Sequence, residues 1–298
     1  MATRTKSQKR MDDVSVLGSD TLAGIPWLLH GFSTRQGGVS EAYGGRALNL
    51  GITPEDTRQA VSQNRRLFFA RLGAVTPAGD PWPSVAMRQV HSSMVHRIID
   101  LPQRPLVGDG LVTNRAGVIL SVRAADCLPV LLADPARRAV GAFHAGWRCT
   151  LARIVEKGVG EFRRHFGSHP ADVKAAIGPG IHRCCYEVGD EFRHKFRAQF
   201  SYADALFEEV FSSDPVHRKY PLMFMNQRAP GHGEPAQKVH LDLVEANRRQ
   251  LLDAGIRTEN IWISDLCTSC RTDLLFSHRK EKGVTGRMMG AVGIRRQS

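Results

Sequence analysis

The chain of 298 residues lacks the features that assign a protein to the membrane, to the secretory route or to a disulfide scaffold. No run of eighteen or more apolar residues occurs, so we expect no membrane-spanning helix. The first dozen residues are basic but contain no apolar stretch of the kind that a secretory signal requires, and we expect a disordered tail over residues 1–12. These absences predict a cytoplasmic protein, whose six cysteines serve as thiols or metal ligands.

Basic residues outnumber acidic residues by 41 to 29, which gives a formal net charge of +12. The lysines and arginines are spread along the chain, and no signature of a nucleic-acid-binding module is present, so we do not expect a nucleic-acid partner. A surface of this sign favours small anionic substrates. Nothing in the sequence decides between a monomer and a homodimer.

Short apolar runs alternate with amphipathic stretches, which predicts a mixed α/β (α+β) fold. No linker divides the chain, so we expect one catalytic domain over residues 13–298, although weak periodicity leaves residues 201–237 unplaced. A Gly-rich loop is expected over residues 36–39, and helices over 53–73, 151–166 and 241–254. The predicted strands cover residues 25–34, 85–90, 94–99, 118–122, 130–133, 139–144, 173–177, 261–264, 274–277 and 288–292.

Three sequence blocks each place a reactive side chain at the end of an apolar run. His91 closes Met-Arg-Gln-Val-His, Cys127 stands in Ala-Asp-Cys-Leu-Pro, and His144 stands in Phe-His-Ala-Gly-Trp-Arg. Because strand ends meet at the edges of sheets, the three side chains can converge. Two imidazoles and one thiolate form the protein ligand set of a catalytic zinc, whose fourth position stays open for water or substrate. The residues alone leave open the alternative of two buried histidines and a core cysteine.

Five blocks occur in the order in which a known family carries them. Their sequences are Gln-Val-His, Ala-Asp-Cys-Leu-Pro, His-Ala-Gly-Trp-Arg, Gly-Pro followed by Cys-Tyr-Glu-Val, and Cys-Thr followed by Phe-Ser-His-Arg and Thr-Gly-Arg-Met. From about Gly31 to Gly293 the chain resembles the laccase-domain family. Members of that family were long described as multicopper polyphenol oxidoreductases and are now read as zinc-dependent purine nucleoside phosphorylases with adenosine deaminase activity.

The resemblance implies that His91, Cys127 and His144 hold one catalytic zinc. It also implies two mixed sheets packed between helices, in a four-layer α/β/β/α arrangement. The expected substrates are purine nucleosides and phosphate: adenosine and phosphate would yield adenine and ribose-1-phosphate, and adenosine alone would yield inosine.

Three positions depart from the usual pattern of the family. Ser92 and Cys149 stand where glycine is usual, and His278 stands where tyrosine is usual. None of these positions is a proposed metal ligand. The departures leave the preferred substrate open, and a cell-wall precursor stays an alternative to a nucleoside.

Four further residues, from these blocks or from the matching segments Gly-Phe-Ser-Thr-Arg and Leu-Asn-Leu-Gly, are candidates for substrate binding. Arg35, Arg148 and Arg279 carry guanidinium forks that suit phosphate oxygens. The amide of Asn49 suits a base or a sugar, with the capping of a turn as its alternative role. Asp126 either moves protons or orients the site from outside it.

Two other functions would use the same side chains. A copper-dependent polyphenol oxidase of laccase type would treat them as a blue-copper set with Met87 or Met94 as axial ligand. The 12 histidines include no His-x-His pair, however, and a multicopper oxidase needs several. A metal-free cysteine hydrolase would use Cys127 as nucleophile and His144 as base.

The Cys-Thr-Ser-Cys segment from Cys267 to Cys270 has the spacing of half a metal site or of a redox couple. No second pair lies at a suitable spacing, and the surrounding sequence does not resemble a thioredoxin. We therefore expect no metal or redox role for this pair.

Overall fold

The computed structural model describes residues 13–211 and 237–296. These residues divide into two compact units, one formed by the chain up to His182 together with the chain from Leu243, and the other by Arg183–Asp242. The sequence predicts one domain here, and the second unit includes the stretch of residues 201–237 that periodicity does not place. The basic tail expected over residues 1–12 lies outside the described residues. Within the described ranges no helix is long and apolar enough to cross a membrane.

The helices are short and the strands are numerous. The helices are α1 (Asp20–Ala23), α2 (Arg58–Arg71), α3 (Trp147–Leu151), α4 (Ile154–Phe166), α5 (Glu191–Arg197) and α6 (Leu243–Asp253), with 3-10 turns at Pro170–Asp172, Ala203–Leu206 and Thr258–Asn260. The strands are β1 (Val16–Leu17), β2 (Leu28–Ser33), β3 (Gln36–Ser40), β4 (Ser84–Val85), β5 (Met87–Arg88), β6 (Val95–Arg97), β7 (Leu106–Val107), β8 (Gly110–Thr113), β9 (Ile119–Ala124), β10 (Leu128–Asp134), β11 (Ala139–Ala145), β12 (Lys174–Ile177), β13 (Glu187–Val188), β14 (Phe207–Phe211), β15 (Gln237–Leu241), β16 (Ile261–Ile263) and β17 (Met288–Ile294).

Two mixed sheets form the larger unit. The first has the strand order β1-β2-β17-β9-β4, in which the pairs are antiparallel except for the parallel β9–β4 pair. The second has the order β16-β12-β10-β11-β8-β6, with parallel pairs at both of its edges. Mixed pairing of this kind confirms the α+β class.

The faces of these two sheets meet in one apolar core. Phe32, Leu120 and Val292 of the first sheet pack with Leu131 and Ala142 of the second, all nearly inaccessible to solvent. Burial of an apolar side chain of this size stabilises a fold by about 1.5–3 kcal/mol. The two inward faces therefore supply much of the stability of the unit.

Helices cover the outer faces. Phe68 of α2 packs with Ile119 and Met289, which point outward from the first sheet. On the second sheet, Gly158 of α4 lies so close to Phe143 of β11 that a Cβ on it would come within 2.5 Å of the ring. The resulting order of layers is α/β/β/α, as the family resemblance implies.

The first long helix starts later than predicted. Its N-cap is Thr57, whose hydroxyl accepts a hydrogen bond from the Ala60 amide, so the helix covers Arg58–Arg71. Thr53, the predicted cap, instead accepts a hydrogen bond from the Tyr43 hydroxyl at 2.6 Å. A side-chain contact from an earlier loop thus removes the cap that local sequence favours.

Three other predicted elements also differ. The predicted loop at residues 36–39 is strand β3, and the predicted helix over 151–166 begins earlier and is interrupted at Arg153, whose φ is +60°. The predicted strand at 274–277 is a series of turns in which the amides of residues 274 and 275 both donate to the Arg271 carbonyl. Its apolar residues are buried, but their backbone closes turns instead of joining a sheet.

In its described residues, the smaller unit contains a three-stranded antiparallel sheet with the order β13-β15-β14, helix α5 and the 3-10 turn at Ala203–Leu206. Its core is aromatic: the ring of Phe196 in α5 packs edge-on against Phe207 in β14 and beside Phe200.

Candidate active site

The structure brings His91, Cys127 and His144 together at one end of the two sheets of the larger unit. Their potential ligand atoms lie within 4.8 Å of one another, and the Cys127 Sγ is 3.9 Å from the His91 Nε2. The imidazole rings of the two histidines meet edge to face, with centroids 4.9 Å apart. The three sequence blocks therefore converge as expected.

Strand pairing explains how Cys127 reaches His144. β10 pairs with β11 so that Leu128 lies opposite Ala145, the last residue of β11, and Cys127 therefore lies just past the end of that strand. Gly146 lies there, and a Cβ on it would come within 2.8 Å of the Cys127 Sγ. The glycine of the His-Ala-Gly-Trp-Arg block is thus required by the close approach of two ligand-bearing segments.

A buried carboxylate, Asp109, holds the segment that carries His91. Its oxygens accept hydrogen bonds from the backbone amides of Val90 (3.3 Å), His91 (3.1 Å) and Ser92 (2.7 Å), and from the Ser92 hydroxyl (2.8 Å). These bonds stabilise the left-handed backbone conformation of His91, whose φ of +58° is uncommon for a residue other than glycine. Asp109 therefore determines where the His91 imidazole lies.

The same carboxylate also fixes the orientation of His144. Its Oδ1 is 2.9 Å from the His144 Nδ1, so the Nε2 of that ring is directed away from Asp109. Burial raises the pKa of Asp109, but the hydrogen bonds from His144 and Ser92 outweigh burial and bring the pKa to about 2. The carboxylate is ionised at neutral pH and supports a proton on the Nδ1 of His144.

The Cys127 thiol is acidic in this setting. Burial raises its pKa, but the charge and hydrogen bond of His144, together with His91, lower the pKa to about 6. Burial likewise lowers the pKa of His144, whereas the Cys127 thiolate and Asp109 raise it well above its ordinary value. The pair therefore favours a thiolate, the form that binds metals and attacks electrophiles.

A second buried carboxylate, Asp126, ties the Cys127 segment to the C-terminal blocks. It accepts hydrogen bonds from the hydroxyls of Thr268 (2.6 Å) and Ser277 (2.7 Å) and from the Arg279 amide (2.6 Å). Its own φ is +88°, a strained value for a residue other than glycine. These contacts suit an orienting role outside the cavity better than proton transfer within it.

The side chains of His91, Cys127 and His144 line a cavity of about 400 Å³. This volume lies in the range of roughly 300–1,000 Å³ that is usual for small-molecule sites. The cavity is lined by Gly51, Ile52, Arg88, Gln89, His91, Arg123, Ala124, Ala125, Cys127, His144, His278 and Arg287.

The arginines predicted to bind substrate do not line this cavity. Arg35 forms an ion pair with Glu281 at 3.0 Å and donates to the carbonyls of Thr272 (2.7 Å) and Tyr43 (2.9 Å). Arg148 is exposed and its guanidinium lies 4.2 Å from the ring centre of Trp147. Arg279 is exposed and contributes its backbone amide to Asp126.

Asn49 is completely buried, and its amide group is engaged within the protein. The Oδ1 accepts hydrogen bonds from the amides of Gly51 (3.0 Å) and Arg287 (2.9 Å), both in the cavity wall, and the Nδ2 donates to Asp56 at 2.8 Å. Its geometry matches the turn-capping alternative, and it positions two residues of the wall.

Sequence reasoning missed Asp109 and the arginines at positions 88, 123 and 287. Asp109 stands between two glycines just before an apolar run, a weak signal for a turn that carries a functional carboxylate. Arg123 lies at the end of a strand four residues before Cys127, and that position could have suggested a place in the site. His278, noted only as a departure from the family pattern, also lines the cavity.

The comparisons with known proteins agree with this fold. The sequence matches the family described as multi-copper polyphenol oxidoreductase laccase over residues 29–295. It is 37% identical over 272 residues to a purine nucleoside phosphorylase of Deinococcus radiodurans, with 90% of each chain covered. It is 34% identical over 226 residues to adenosine deaminase RL5 from an unknown prokaryotic organism, with 72% of this chain and 77% of RL5 covered.

A solved structure extends the similarity to three dimensions. The crystal structure of YlmD from Geobacillus stearothermophilus matches with a TM-score of 0.76 at 31% identity, covering 95% of this chain and 97% of that one. By sequence and by fold, the chain belongs to the multi-copper polyphenol oxidoreductase laccase family.

Proposed function

We propose that the protein is a zinc-dependent purine nucleoside phosphorylase that also deaminates adenosine. The observation that carries the proposal is the convergence of His91, Cys127 and His144 on a cavity of nucleoside size. Relatives that cover nine-tenths of the chain bear the name purine nucleoside phosphorylase, and a further relative bears the name adenosine deaminase. The cytoplasmic location of this protein stays a prediction from the sequence.

The donor set fits zinc. Zn–S and Zn–N bonds of about 2.3 and 2.0 Å at tetrahedral angles place sulfur and nitrogen about 3.5 Å apart, close to the 3.9 Å between the Cys127 Sγ and the His91 Nε2. Asp109 occupies the Nδ1 of His144 and leaves its Nε2 for the metal, which is the usual arrangement behind a zinc-bound imidazole. When bound in such a set, zinc lowers the pKa of a water molecule to about 7 and polarises bound oxygens.

Two reactions of adenosine share this cavity in the proposal. In phosphorolysis, a phosphate oxygen forms a bond to C1′ of the ribose while the bond from C1′ to N9 breaks, and the purine keeps the electron pair and takes up a proton. In deamination, water adds to C6 and ammonia leaves, which gives inosine. His278, an ionisable side chain of the cavity wall, is our candidate for moving a proton to or from the base.

The test compares wild type with Cys127→Ser and Cys270→Ala after expression with added zinc. We expect the wild type to hold zinc and to convert adenosine with phosphate into adenine and ribose-1-phosphate, and adenosine alone into inosine. Cys127→Ser removes the thiolate and should lose both the zinc of this site and both activities. Cys270→Ala is the matched control at an exposed cysteine, and it should keep the zinc of this site and both activities. A metal-loaded wild type that converts neither adenosine, inosine nor guanosine would refute the proposal.

One alternative has a specific observation in its favour. An acidic Cys127 beside His144, which Asp109 orients, is also the arrangement of a nucleophile, a base and an orienting carboxylate. A metal-free hydrolase predicts that chelator-treated protein cleaves amide or thioester substrates and that alkylation of Cys127 abolishes this activity. A copper oxidase predicts that elemental analysis of the purified wild type finds copper in place of zinc, although neither Met87 nor Met94 lines the cavity.

A further inference from the structure

Three arginine side chains form a cationic cluster beside the metal-ligand set: Arg65, Arg123 and Arg287, which we call the arginine cluster. All three are half-buried, and within residues 13–211 and 237–296 none of them forms an ion pair. Burial lowers the pKa of Arg65 and of Arg123, and the charge of the neighbouring arginine lowers each pKa further. The positive charges are therefore close enough to repel one another.

The register of the first sheet places two of these arginines on one face. Met289 of β17 lies opposite Arg123 of β9, so Arg287, two residues before Met289, is the diagonal neighbour of Arg123. Diagonal residues on the same face of an antiparallel pair are within reach of long side chains. Both arginines line the cavity, and Cys127 follows Arg123 by four residues.

Backbone carbonyls hold the guanidinium groups without neutralising them. The Nη2 of Arg123 donates to the Met87 carbonyl at 2.7 Å, and the Nη1 of Arg287 donates to the carbonyls of Thr285 (2.9 Å) and Gly286 (3.0 Å). The Nε and Nη2 of Arg65 donate to the Leu50 carbonyl at 3.0 and 2.8 Å. The charges are thus fixed in place, and an anion in the cavity would relieve their repulsion.

The loop around residue 50 is shaped to the side chain of Arg287. A Cβ on Gly51 would come within 2.5 Å of the Arg287 Cγ, so only glycine allows this approach. The buried Asn49 bonds the amides of both residues through one oxygen. Asn49 therefore acts as a positioning residue for Arg287, which accounts for its place in a matched block.

We propose that Arg123 and Arg287 bind the phosphate that attacks C1′ of the nucleoside, with Arg65 adding to the positive potential behind them. The inference rests on the proposed function and adds to it the subsite of the second substrate. Guanidinium forks bind tetrahedral oxyanions through paired, charge-assisted hydrogen bonds. In this proposal the arginine cluster binds the phosphate that the sequence suggested for Arg35, Arg148 and Arg279, none of which lines the cavity. Deamination uses water in place of phosphate, so only phosphorolysis should depend on this subsite.

The test measures both reactions on one preparation of Arg287→Gln, with Arg287→Lys and Arg66→Gln beside it. Loss of a charge-assisted contact should raise the KM for phosphate by about 10- to 100-fold. The ratio of phosphorolysis to deamination at subsaturating phosphate should fall by a similar factor. Arg287→Lys keeps the charge but loses the fork, so its KM should rise less. Arg66 is exposed on the same helix as Arg65 and does not line the cavity, so Arg66→Gln should keep the wild-type ratio.

The outcomes separate this inference from the function on which it rests. The subsite would be overturned if Arg287→Gln and Arg287→Lys lowered the rates of both reactions in equal proportion and left the KM for phosphate unchanged. If the metal-loaded wild type performs neither reaction, the proposed function fails, and calorimetric titration with inorganic phosphate then decides the subsite by itself. Phosphate binding that is lost in Arg287→Gln and retained in Arg66→Gln would support it, and no binding to wild type at millimolar phosphate would overturn it.

Discussion

Asp109 and Asp126 are both buried carboxylates beside the metal-ligand set, yet they hold it in different ways. Asp109 contacts the imidazole of His144 directly and bonds three consecutive backbone amides around His91. Asp126 bonds two hydroxyls and one amide from the C-terminal segment, more than 140 residues away in the chain. The first carboxylate sets the direction and charge of ligand atoms, whereas the second sets the backbone from which Cys127 projects.

This difference separates metal affinity from fold stability. A carboxylate that bonds a ligating imidazole increases the basicity of that ligand, and its loss typically costs 10- to 100-fold in metal affinity. A carboxylate that joins two chain segments without touching a ligand atom contributes chiefly to the free energy of unfolding. Substitution at each position can therefore test which effect dominates.

The largest effect is expected for Asp109→Asn. The amide keeps the size of the carboxylate, but it loses the charge and places an NH₂ group against backbone amides that need acceptors. Zinc affinity should fall by about 10- to 100-fold, and the metal-free protein should lose about 2–5 kcal/mol of unfolding free energy. Competition with a chelator measures the first quantity, and denaturant unfolding measures the second.

A second buried aspartate provides the control for this variant. Asp134 accepts hydrogen bonds from the amides of Ala136 and Arg137 in the turn after β10 and does not line the cavity. In Asp134→Asn the retained oxygen can still accept both hydrogen bonds, and zinc affinity should stay at the wild-type value. Equal zinc affinity in the Asp109 and Asp134 variants would show that the contact with His144 does not influence the metal.

A smaller effect is expected for Asp126→Asn. Asparagine tolerates the positive φ at this position, and its oxygen can still accept from the hydroxyls of Thr268 and Ser277. Its NH₂ group, however, would face the Arg279 amide, and two opposed donors should cost about 1–3 kcal/mol of unfolding free energy. Zinc affinity should fall less than in Asp109→Asn. A larger loss of zinc in the Asp126 variant would reverse the assigned roles of the two carboxylates.

The grouping of His91, Cys127 and His144 could be predicted from the sequence because each stands at or near the end of an apolar run. His144 ends an uninterrupted buried strand, and Cys127 lies between two others, so the edge of a sheet is a natural meeting point. The class of fold follows from the same alternation of strands and helices. Local patterns thus predict both the class of fold and the grouping of the three side chains, whose role as metal ligands stays a prediction.

The supporting residues could not be predicted because they depend on register between strands that are distant in sequence. Asp109 reaches His144 because β8 pairs with β11 so that Gly110 lies opposite Phe143. Arg123 meets Arg287 through the pairing of β9 with β17. No local signal reports such a register, so a candidate chosen from the sequence alone, such as Arg35, can instead tie turns together.

The smallest effect is expected for Thr268→Val, which removes one hydroxyl from Asp126 and leaves the shape of the side chain almost unchanged. The Ser277 hydroxyl still donates to the same carboxylate oxygen, so Asp126 keeps partners and should lose only about 1 kcal/mol of unfolding free energy. Thr268→Ser retains the hydroxyl and provides the matched control. Denaturant unfolding of both variants isolates the contribution of this single hydrogen bond, while chelator competition should give the wild-type zinc affinity for each. A loss of zinc in Thr268→Val but not in Thr268→Ser would mean that the hydroxyl acts on the Cys127 thiolate through Asp126, and the distinction between the two carboxylates would then fail.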